Sequence, residues 1–358
     1  MLTLIYFILI LGVVVFIHEL GHFLFAKKAG VYVYEFSIGM GPRLLKFNRK
    51  PKKKIIDGKE VEVKDETDYC IRLLPIGGFV QMAGEEIEVD EKIPVEKRLQ
   101  SKKWHQRFMV MVAGVMNNFI LAFVVLLIIG WTNTVSLHST SLTEIDKDMY
   151  PTLVEGDKIV SIDGAKINNY DRLALELQVH ETKKFEMKVK HENGDYETVK
   201  VSPKEIKDED GKLIGYEYGF FVKGKPEKGF FSGIKYAIGK WLSTVEQMFF
   251  TVWYLITGKI SLKLLSGPIG IYKVVGQAQK AGLSSVLSLI ALLNINVGFI
   301  NILPLPAFDG GHALFLIIEK IKGSPVNQKV ENTIHNIFFI LLMVLMLYVT
   351  FNDVLRFF

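Results

Sequence analysis

One cysteine, Cys70, stands in a chain of 358 residues. That scarcity excludes an internal disulfide framework and a cysteine-built metal site. An excess of charge of one sign is missing too: 43 basic against 38 acidic residues leave a net charge of +5. So mild a balance implies no nucleic-acid partner, and the basic residues gather beside apolar runs, as they do at a membrane surface. Internal repeats and low-complexity tracts are also lacking. What is abundant is apolar: 49% of residues are hydrophobic and 12% aromatic, and the mean hydropathy is +0.26. This much apolar surface excludes a disordered chain and predicts apolar helices concentrated in a few places.

Four segments, residues 2–26, 108–131, 283–303 and 334–348, reach or approach the roughly 20 apolar residues that a helix needs to cross a hydrocarbon core. A fifth, 231–256, carries Lys235, Lys240 and Glu246 and reads as one or two amphipathic helices lying on the membrane. The first span has no basic residue before Lys27 and no clear small-residue cleavage site, so it is expected to stay as a helix. Flanking positive charge sets the orientation. Lys27 and Lys28 follow the first span, Lys102, Lys103 and Arg107 precede the second, and Lys320, Lys322 and Lys329 lie between the third and fourth. All belong on the cytoplasmic side, which puts both termini outside and makes 132–226 an extracytoplasmic domain.

The expected plan is a polytopic α-helical membrane protein with four transmembrane helices, a membrane-associated β element and one inserted PDZ-like α+β domain. By residue it runs 1–30 (first helix), 31–107 (cytoplasmic, membrane-dipping β region and amphipathic segment), 108–131 (second helix) and 132–226 (outer domain). Then come 227–282 (membrane-surface helices), 283–318 (third helix and the segment after its break) and 319–358 (cytoplasmic loop and fourth helix). Within 31–107, residues 55–63 read as a hairpin about Asp57-Gly58. The strand 69–74 is followed by Pro75-Ile76-Gly77-Gly78, apolar and glycine-rich for a cytoplasmic loop. Irregular backbone at membrane depth is allowed where it lines a cavity. In the outer domain, Gly156-Asp157-Lys158-Ile159-Val160-Ser161-Ile162-Asp163-Gly164 is a turn, an apolar strand and a second turn. Any small β-rich domain accommodates it, and it resembles an internal signature of PDZ domains, which bind extended chains at a sheet edge. The upstream Ala-x-x-x-Gly-Leu of such domains is replaced by Asp148 to Leu153.

His18-Glu19-Leu20-Gly21-His22 carries the chemistry. Histidines at i and i+4 project from one helix face, a spacing that lets both rings grip one zinc ion (Zn2+), with Glu19 placed as general base toward a bound water. All of them sit in an apolar span, where ionisable groups are costly unless paired, hydrated or ligating. A third ligand is needed, and Asp309 of Asp309-Gly310-Gly311-His312 is the candidate. Pro304 and Pro306 break the third span before it, and glycines permit close approach. His18 lies about 16 residues, roughly 25 Å, into the first span; Asp309 lies just past the end of a span that enters from the same side. The two therefore match in depth. His312 is an alternative fourth ligand or support. Asn294 and Asn301, seven residues apart, share a helix face, and Asn296 lies elsewhere on the same helix. Each either bonds helices together or handles substrate, and Asn301, beside the break, is placed to hold a carbonyl or a developing oxyanion.

Taken together, the chain resembles the site-2 protease family of intramembrane zinc metalloproteases, and within it the bacterial regulator-of-sigma-E branch, over nearly its whole length. The likeness rests on 18–22, on Tyr-Glu-Phe-Ser-Ile-Gly-Met-Gly at 34–41, Leu-Pro-Ile-Gly-Gly-Phe-Val-Gln-Met at 74–82 and Ala-Gly-Val-Met-Asn at 113–117. Leu-Ser-Gly-Pro-Ile-Gly-Ile at 265–271 and the run 294–312 complete it. It implies zinc on His18, His22 and Asp309, with Glu19 as base. It further implies a β element around Gly77 and Gly78 that takes up substrate, and a substrate-handling role for Asn301. Location in the inner (cytoplasmic) membrane and substrates that are single-span membrane proteins, either anti-sigma factors or signal-peptide remnants, are implied as well. Two features depart from the family: Val115 stands where it often has proline, and there is one PDZ-like domain where some relatives have two. The rival readings are a scaffold with a structural metal, distinguished by zinc-dependent cleavage, and an ion or proton transporter, distinguished by flux without cleavage.

Overall fold

A computed structural model describes residues 2–48, 52–56, 59–63, 67–85, 93–136, 139–208, 211 and 213–357. The chain divides into two compact units, residues 1–122 with 265–358 and residues 123–264.

The first apolar run is helix α1 (Leu2–Lys28), closing on Lys27 and Lys28, charges that suit the negative end of a helix dipole. Gly30 then takes a left-handed φ of +70°, and the Val31 N–H reaches back to the Ala26 carbonyl at 2.9 Å, a closure that satisfies the last turn. Strands β1 (Val33–Asn48), β2 (Lys52–Ile56), β3 (Lys59–Val63) and β4 (Asp68–Met82) come next. β2 and β3 pair antiparallel from Lys52↔Val63 to Ile56↔Lys59; the Asp57-Gly58 turn expected between them lies outside the described residues. β1 and β4 each bend on themselves. Residues 35–38 lie opposite 78–81 on one side and 68–71 on the other, and 45–48 lie opposite 68–71 as well. The bends fall at Gly39, Gly41 and Gly77, all left-handed.

Glu35, on β1, holds this sheet together. It is 1% exposed and takes Arg72 Nη2 at 2.7 Å as well as Arg43. Burial works to raise the pKa of its carboxyl, but the hydrogen bonds and charges of the two arginines prevail and hold it below the ordinary carboxylate range. Arg72 also donates to Ser37 Oγ and to the Gly41 carbonyl. An apolar cluster of Ala26, Val31, Val33, Phe36, Val80, Met82, Leu99 and Val110 seats the sheet on α1 and on helix α2 (Trp104–Thr132). Its other surface leaves Leu44, Leu45, Phe47, Leu73 and Leu74 exposed.

The second unit continues with β5 (Val135–Ser136), β6 (Leu142–Ile145), β7 (Lys158–Ile162), β8 (Ala165–Lys166) and α3 (Tyr170–Val179). Next are β9 (Phe185–Lys190), β10 (Tyr196–Val201), β11 (Lys204–Lys207), β12 (Leu213–Glu217), β13 (Phe220–Val222), β14 (Pro226–Glu227) and α4 (Phe230–Ile256). A four-stranded sheet of order β10-β9-β7-β8 packs over Leu153, Ile159, Ile162, Leu173 and Met187. In the glycine-aspartate turn, buried Asp157 accepts the Val154 N–H at 2.8 Å and faces His191 Nδ1 at 2.9 Å. Asp163 and Gly164, both left-handed, close the β7–β8 hairpin as such a two-residue turn requires.

Residues 230–256 form one continuous helix of 27 residues. Two of the three charges that suggested a lipid-surface helix, Lys240 and Glu246, have protein partners. Lys240 Nζ meets Asp171 at 2.6 Å on α3, and Glu246 accepts from Asn169 at 2.7 Å. Beside them, Arg172 is buried between Glu176 at 2.6 Å and the faces of Phe250 and Tyr254. Part of the polar stripe of α4 thus contacts α3 and its N-cap, while Phe231, Leu242, Phe249 and Trp253 of the same helix are exposed.

The first unit resumes with α5 (Pro268–Ala281), α6 (Leu283–Ile302), α7 (Asp309–Lys322) and α8 (Gln328–Phe357). Proline opens α5, where its missing N–H is not needed, and the Gly270 N–H donates at 2.8 Å to Asp353 Oδ2 on α8. Val275 is wholly buried in a cluster with Ile10, Val286 and Leu289, so this helix packs on α1 and α6. Arg107 at the start of α2 grips Glu319 of α7 through both nitrogens, at 2.6 and 3.1 Å. Among the described residues, α1, α2, α6 and residues 329–356 of α8 are long and apolar enough to cross a membrane. All but α6 outrun the expected spans, because polar turns extend them beyond the apolar stretch.

Asp353 is 2% exposed; replacing it with alanine strands the Gly270 N–H. Asp353→Ala should cost about 1–3 kcal/mol, read as a lower thermal midpoint of the purified protein in detergent, with zinc content per molecule unchanged.

Candidate metal centre

His18 and His22 stand one turn apart on α1, as their spacing requires, with Nε2 atoms 3.3 Å from each other. Asp309, the first residue of α7, brings Oδ2 to 3.1 Å from His18 Nε2 and 3.3 Å from His22 Nε2. Three ligands on a tetrahedral zinc at about 2.0–2.1 Å stand roughly 3.3 Å apart, so the three atoms have the spacing of a zinc set. Asp309 Oδ2 is buried and has no hydrogen-bond donor among the described residues. A buried acceptor left without a donor is costly, and a cation between the three atoms removes that cost. On both counts the residues fit zinc.

The rings are aimed from α2. His22 Nδ1 lies 2.8 Å from the Val110 carbonyl. A carbonyl only accepts, so Nδ1 carries the proton and the Nε2 lone pair is free to ligate. His18 Nδ1 lies 3.3 Å from the side-chain amide of Asn118, a residue 0% exposed whose Oδ1 has no partner as placed. Amide N and O are assigned from the hydrogen-bond network. Exchanging them gives Oδ1 a donor in His18 Nδ1–H and frees Nε2 for the metal, matching His22. Asn117 adds a bond from its amide to the Ile17 carbonyl at 3.3 Å.

Such contacts need α1 and α2 to cross closely. A Cβ built on Gly114 would lie 2.3 Å from His22 Nε2, and one on Gly21 would lie 2.3 Å from the Ala113 carbonyl oxygen. On the far side, Pro304 and Pro306 end α6, and the Leu305 N–H turns back to Leu303 O at 2.7 Å. A Cβ on Gly310 would fall 2.2 Å from that same Leu303 oxygen. The Asp-Gly-Gly sequence thus nests against the broken helix end, which directs Asp309 at the histidines.

Glu19 is half-buried and lies within electrostatic reach of His22, His18 and Asp309. Gly78 sits beside it: a Cβ there would be 3.0 Å from Glu19 Cγ and 2.8 Å from the Ser37 carbonyl. Gly77, left-handed, packs under Met40. Asn301 Nδ2 is 3.4 Å from His18 Nε2, at the centre. Asn294 is 0% exposed and donates at 2.8 Å to the Ile290 carbonyl of its own helix; its oxygen and that of Asn296 are buried without partners. These two are not brought to the ligand trio by any described contact. His312 is turned to Glu331, 3.3 Å away, and stacks on His335. Asn118, Val110 and Gly114 were not singled out from the sequence. Two adjacent amides, Asn117 and Asn118, in an apolar span were the available signal, since such groups need partners there.

Comparison with known proteins places these features in a family. A family model described as Peptidase family M50 matches residues 6–345. Regulator of sigma-W protease RasP of Bacillus subtilis is 32% identical over an alignment of 436 positions, covering 99% of this chain and 99% of that protein. Zinc metalloprotease RasP of Shouchella clausii is 31% identical, with 99% of each chain covered. Zinc metalloprotease RasP of Geobacillus kaustophilus is 30% identical, covering 99% of this chain and 98% of its own.

Three variants separate the ligand geometry from the bulk fold. Gly114→Ala puts a methyl group where the rings meet and should abolish stoichiometric zinc in the purified protein. Asn118→Leu removes the partner of His18 Nδ1 and should weaken zinc about 10–100-fold in competition with a chelator, while Asn118→Asp, which keeps an acceptor there, should retain it.

Proposed function

Because the chain belongs to peptidase family M50, and so is a membrane-embedded zinc metalloprotease of the site-2 type, we propose that it holds its zinc on His18, His22 and Asp309. In this reading Glu19 is the general base and the substrates are transmembrane segments of single-span membrane proteins. The observation that carries the ligand assignment is the convergence of three ligand atoms at 3.1–3.3 Å about a carboxylate oxygen with no hydrogen-bond donor among the described residues.

When bound, zinc acts as a Lewis acid that lowers the pKa of a coordinated water toward neutrality. Glu19 takes the proton from the attacking water and returns it to the amide nitrogen of the departing peptide, so one residue serves as base and then as acid. Asn301 donates its amide to the scissile carbonyl oxygen as negative charge develops there. A helical substrate shields that carbonyl with its own hydrogen bonds and must unwind locally. The strand edge at Gly77 and Gly78 takes the unwound segment by β-addition, and Gly78, lacking a side chain, lets β4 itself lie beside Glu19. The exposed Leu44, Leu45, Phe47, Leu73 and Leu74 support a sheet seated in lipid. In this reading Asn296 handles substrate on α6, while Asn294, wholly buried and bonded within its own helix, takes the helix-packing role.

Residues 132–226 serve as a PDZ-like domain outside the cytoplasm. The sheet of order β10-β9-β7-β8 with α3 and the glycine-aspartate turn support this assignment. In this reading the protein resides in the inner membrane with both termini outside, an orientation supported by the lysine and arginine that flank the spans. Anti-sigma factors or signal-peptide remnants, already trimmed on the outer side, are its substrates; the name of the Bacillus subtilis relative, Regulator of sigma-W protease RasP, favours the first.

The test is cleavage of a model single-span substrate by zinc-loaded protein in liposomes. Glu19→Gln should keep its zinc and lose about 10²–10⁴-fold in rate; cleavage at the parental rate would reject Glu19 as the base. An anti-sigma segment and a signal-peptide remnant compared in the same assay identify the preferred class.

A further inference from the structure

The loop that delivers Asp309 contains a conformation that needs support from elsewhere. Ala307 is left-handed, with φ of +74°, a region disfavoured for a residue carrying a Cβ. It lies two positions before Asp309, between Pro306 and Phe308. Its N–H donates at 2.9 Å to Nδ1 of His335, on α8. The ring of His335 is itself held: it stacks on His312 with centroids 4.0 Å apart and planes at 17°, and Phe315 packs at 5.6 Å. Glu331, one turn earlier on α8, meets His312 at 3.3 Å and lies 4.0 Å from His335 Nε2.

We propose that His335 is a positioning residue for the metal centre, fixing Asp309 through the Ala307 N–H. This rests on the reading of Asp309 as a zinc ligand. The geometry also decides against the other use of the cluster. His312, Glu331 and His335 bring donor atoms close enough for a cation, but a backbone N–H can only donate. His335 Nδ1 must therefore be unprotonated, and the proton of the neutral ring occupies Nε2, the nitrogen that faces Glu331. A protonated Nε2 has no lone pair for a metal. His335 is an acceptor that anchors a loop, and His312 and Glu331 keep its plane in place.

A packing role and a positioning role predict different outcomes for two substitutions. His335→Phe keeps an aromatic ring for stacking and removes the acceptor. His335→Asn loses the ring and retains an oxygen near the Nδ1 position. Full-length protein in detergent, with each substitution and with Asp309→Ala as reference, is titrated with a chelator to read zinc affinity. The cobalt-substituted forms are compared by their visible absorption, which reports ligand geometry. His335→Phe should lose zinc affinity about tenfold and shift the cobalt bands, and His335→Asn should stay close to the parent in both. Parental affinity and spectrum in His335→Phe would overturn the proposal, as would equal loss in both variants. If Asp309→Ala retains zinc like the parent, the ligand reading fails and the proposal with it. Should His335→Phe not fold, His335→Met is judged by the same criteria.

Discussion

The organising constraint is a carboxylate oxygen, buried beside two imidazole nitrogens, that has no hydrogen-bond donor among the described residues. Charges and unpaired polar atoms in apolar surroundings are expensive. The arrangement suits a divalent cation, and the surrounding architecture serves to bring the three groups together. α1 must present two histidines on one face. α2 must approach closely enough to turn them, which glycine at positions 21 and 114 allows. α6 must stop short so that a new helix can begin with Asp309.

Around this centre the support is layered. Val110 and Asn118 face the outward ring nitrogens, so tautomer and ligand orientation are set by a helix that contributes no ligand. The loop bearing Asp309 is pinned at both ends, by glycines nested on broken backbone and by a histidine from α8. The bent sheet of β1 and β4 is fastened by Glu35 and Arg72, with Gly78 beside Glu19. Side chains that never meet the metal therefore decide how rigidly the ligands stand, and rigid placement is what a hydrolytic site needs.

Some of this was legible in the residues. His18, Glu19 and His22 announce themselves because helical spacing is a local property. Asp309 was reachable by matching depths in two spans, since a membrane fixes one coordinate of every residue in it. The PDZ-like signature, read from turns alone, corresponds to a compact sheet in which Asp157 and Asp163 have turn roles. Residues 231–256 read as one or two amphipathic helices lying on the membrane; the structure shows one helix, with Lys240 and Glu246 meeting Asp171 and Asn169. Amphipathicity records that one face is polar and is silent about what covers it. In the same way α5, with a comparable pattern, packs against α1 and α6, and His312, adjacent to the ligand motif in sequence, faces Glu331.

Composition, hydropathy and short-range spacing determined the number and order of apolar helices, the two-histidine face, the break in α6 and the family to which the chain belongs. These follow from interactions within a turn or two of helix, or from the thickness of the bilayer. Tertiary structure alone decided that Asn118 and Val110 aim the rings, that Gly78 borders the glutamate, and that His335 braces the loop before Asp309. Each of those depends on segments far apart in the chain meeting at contact distance, and no pattern along a single strand of sequence encodes a separation in space.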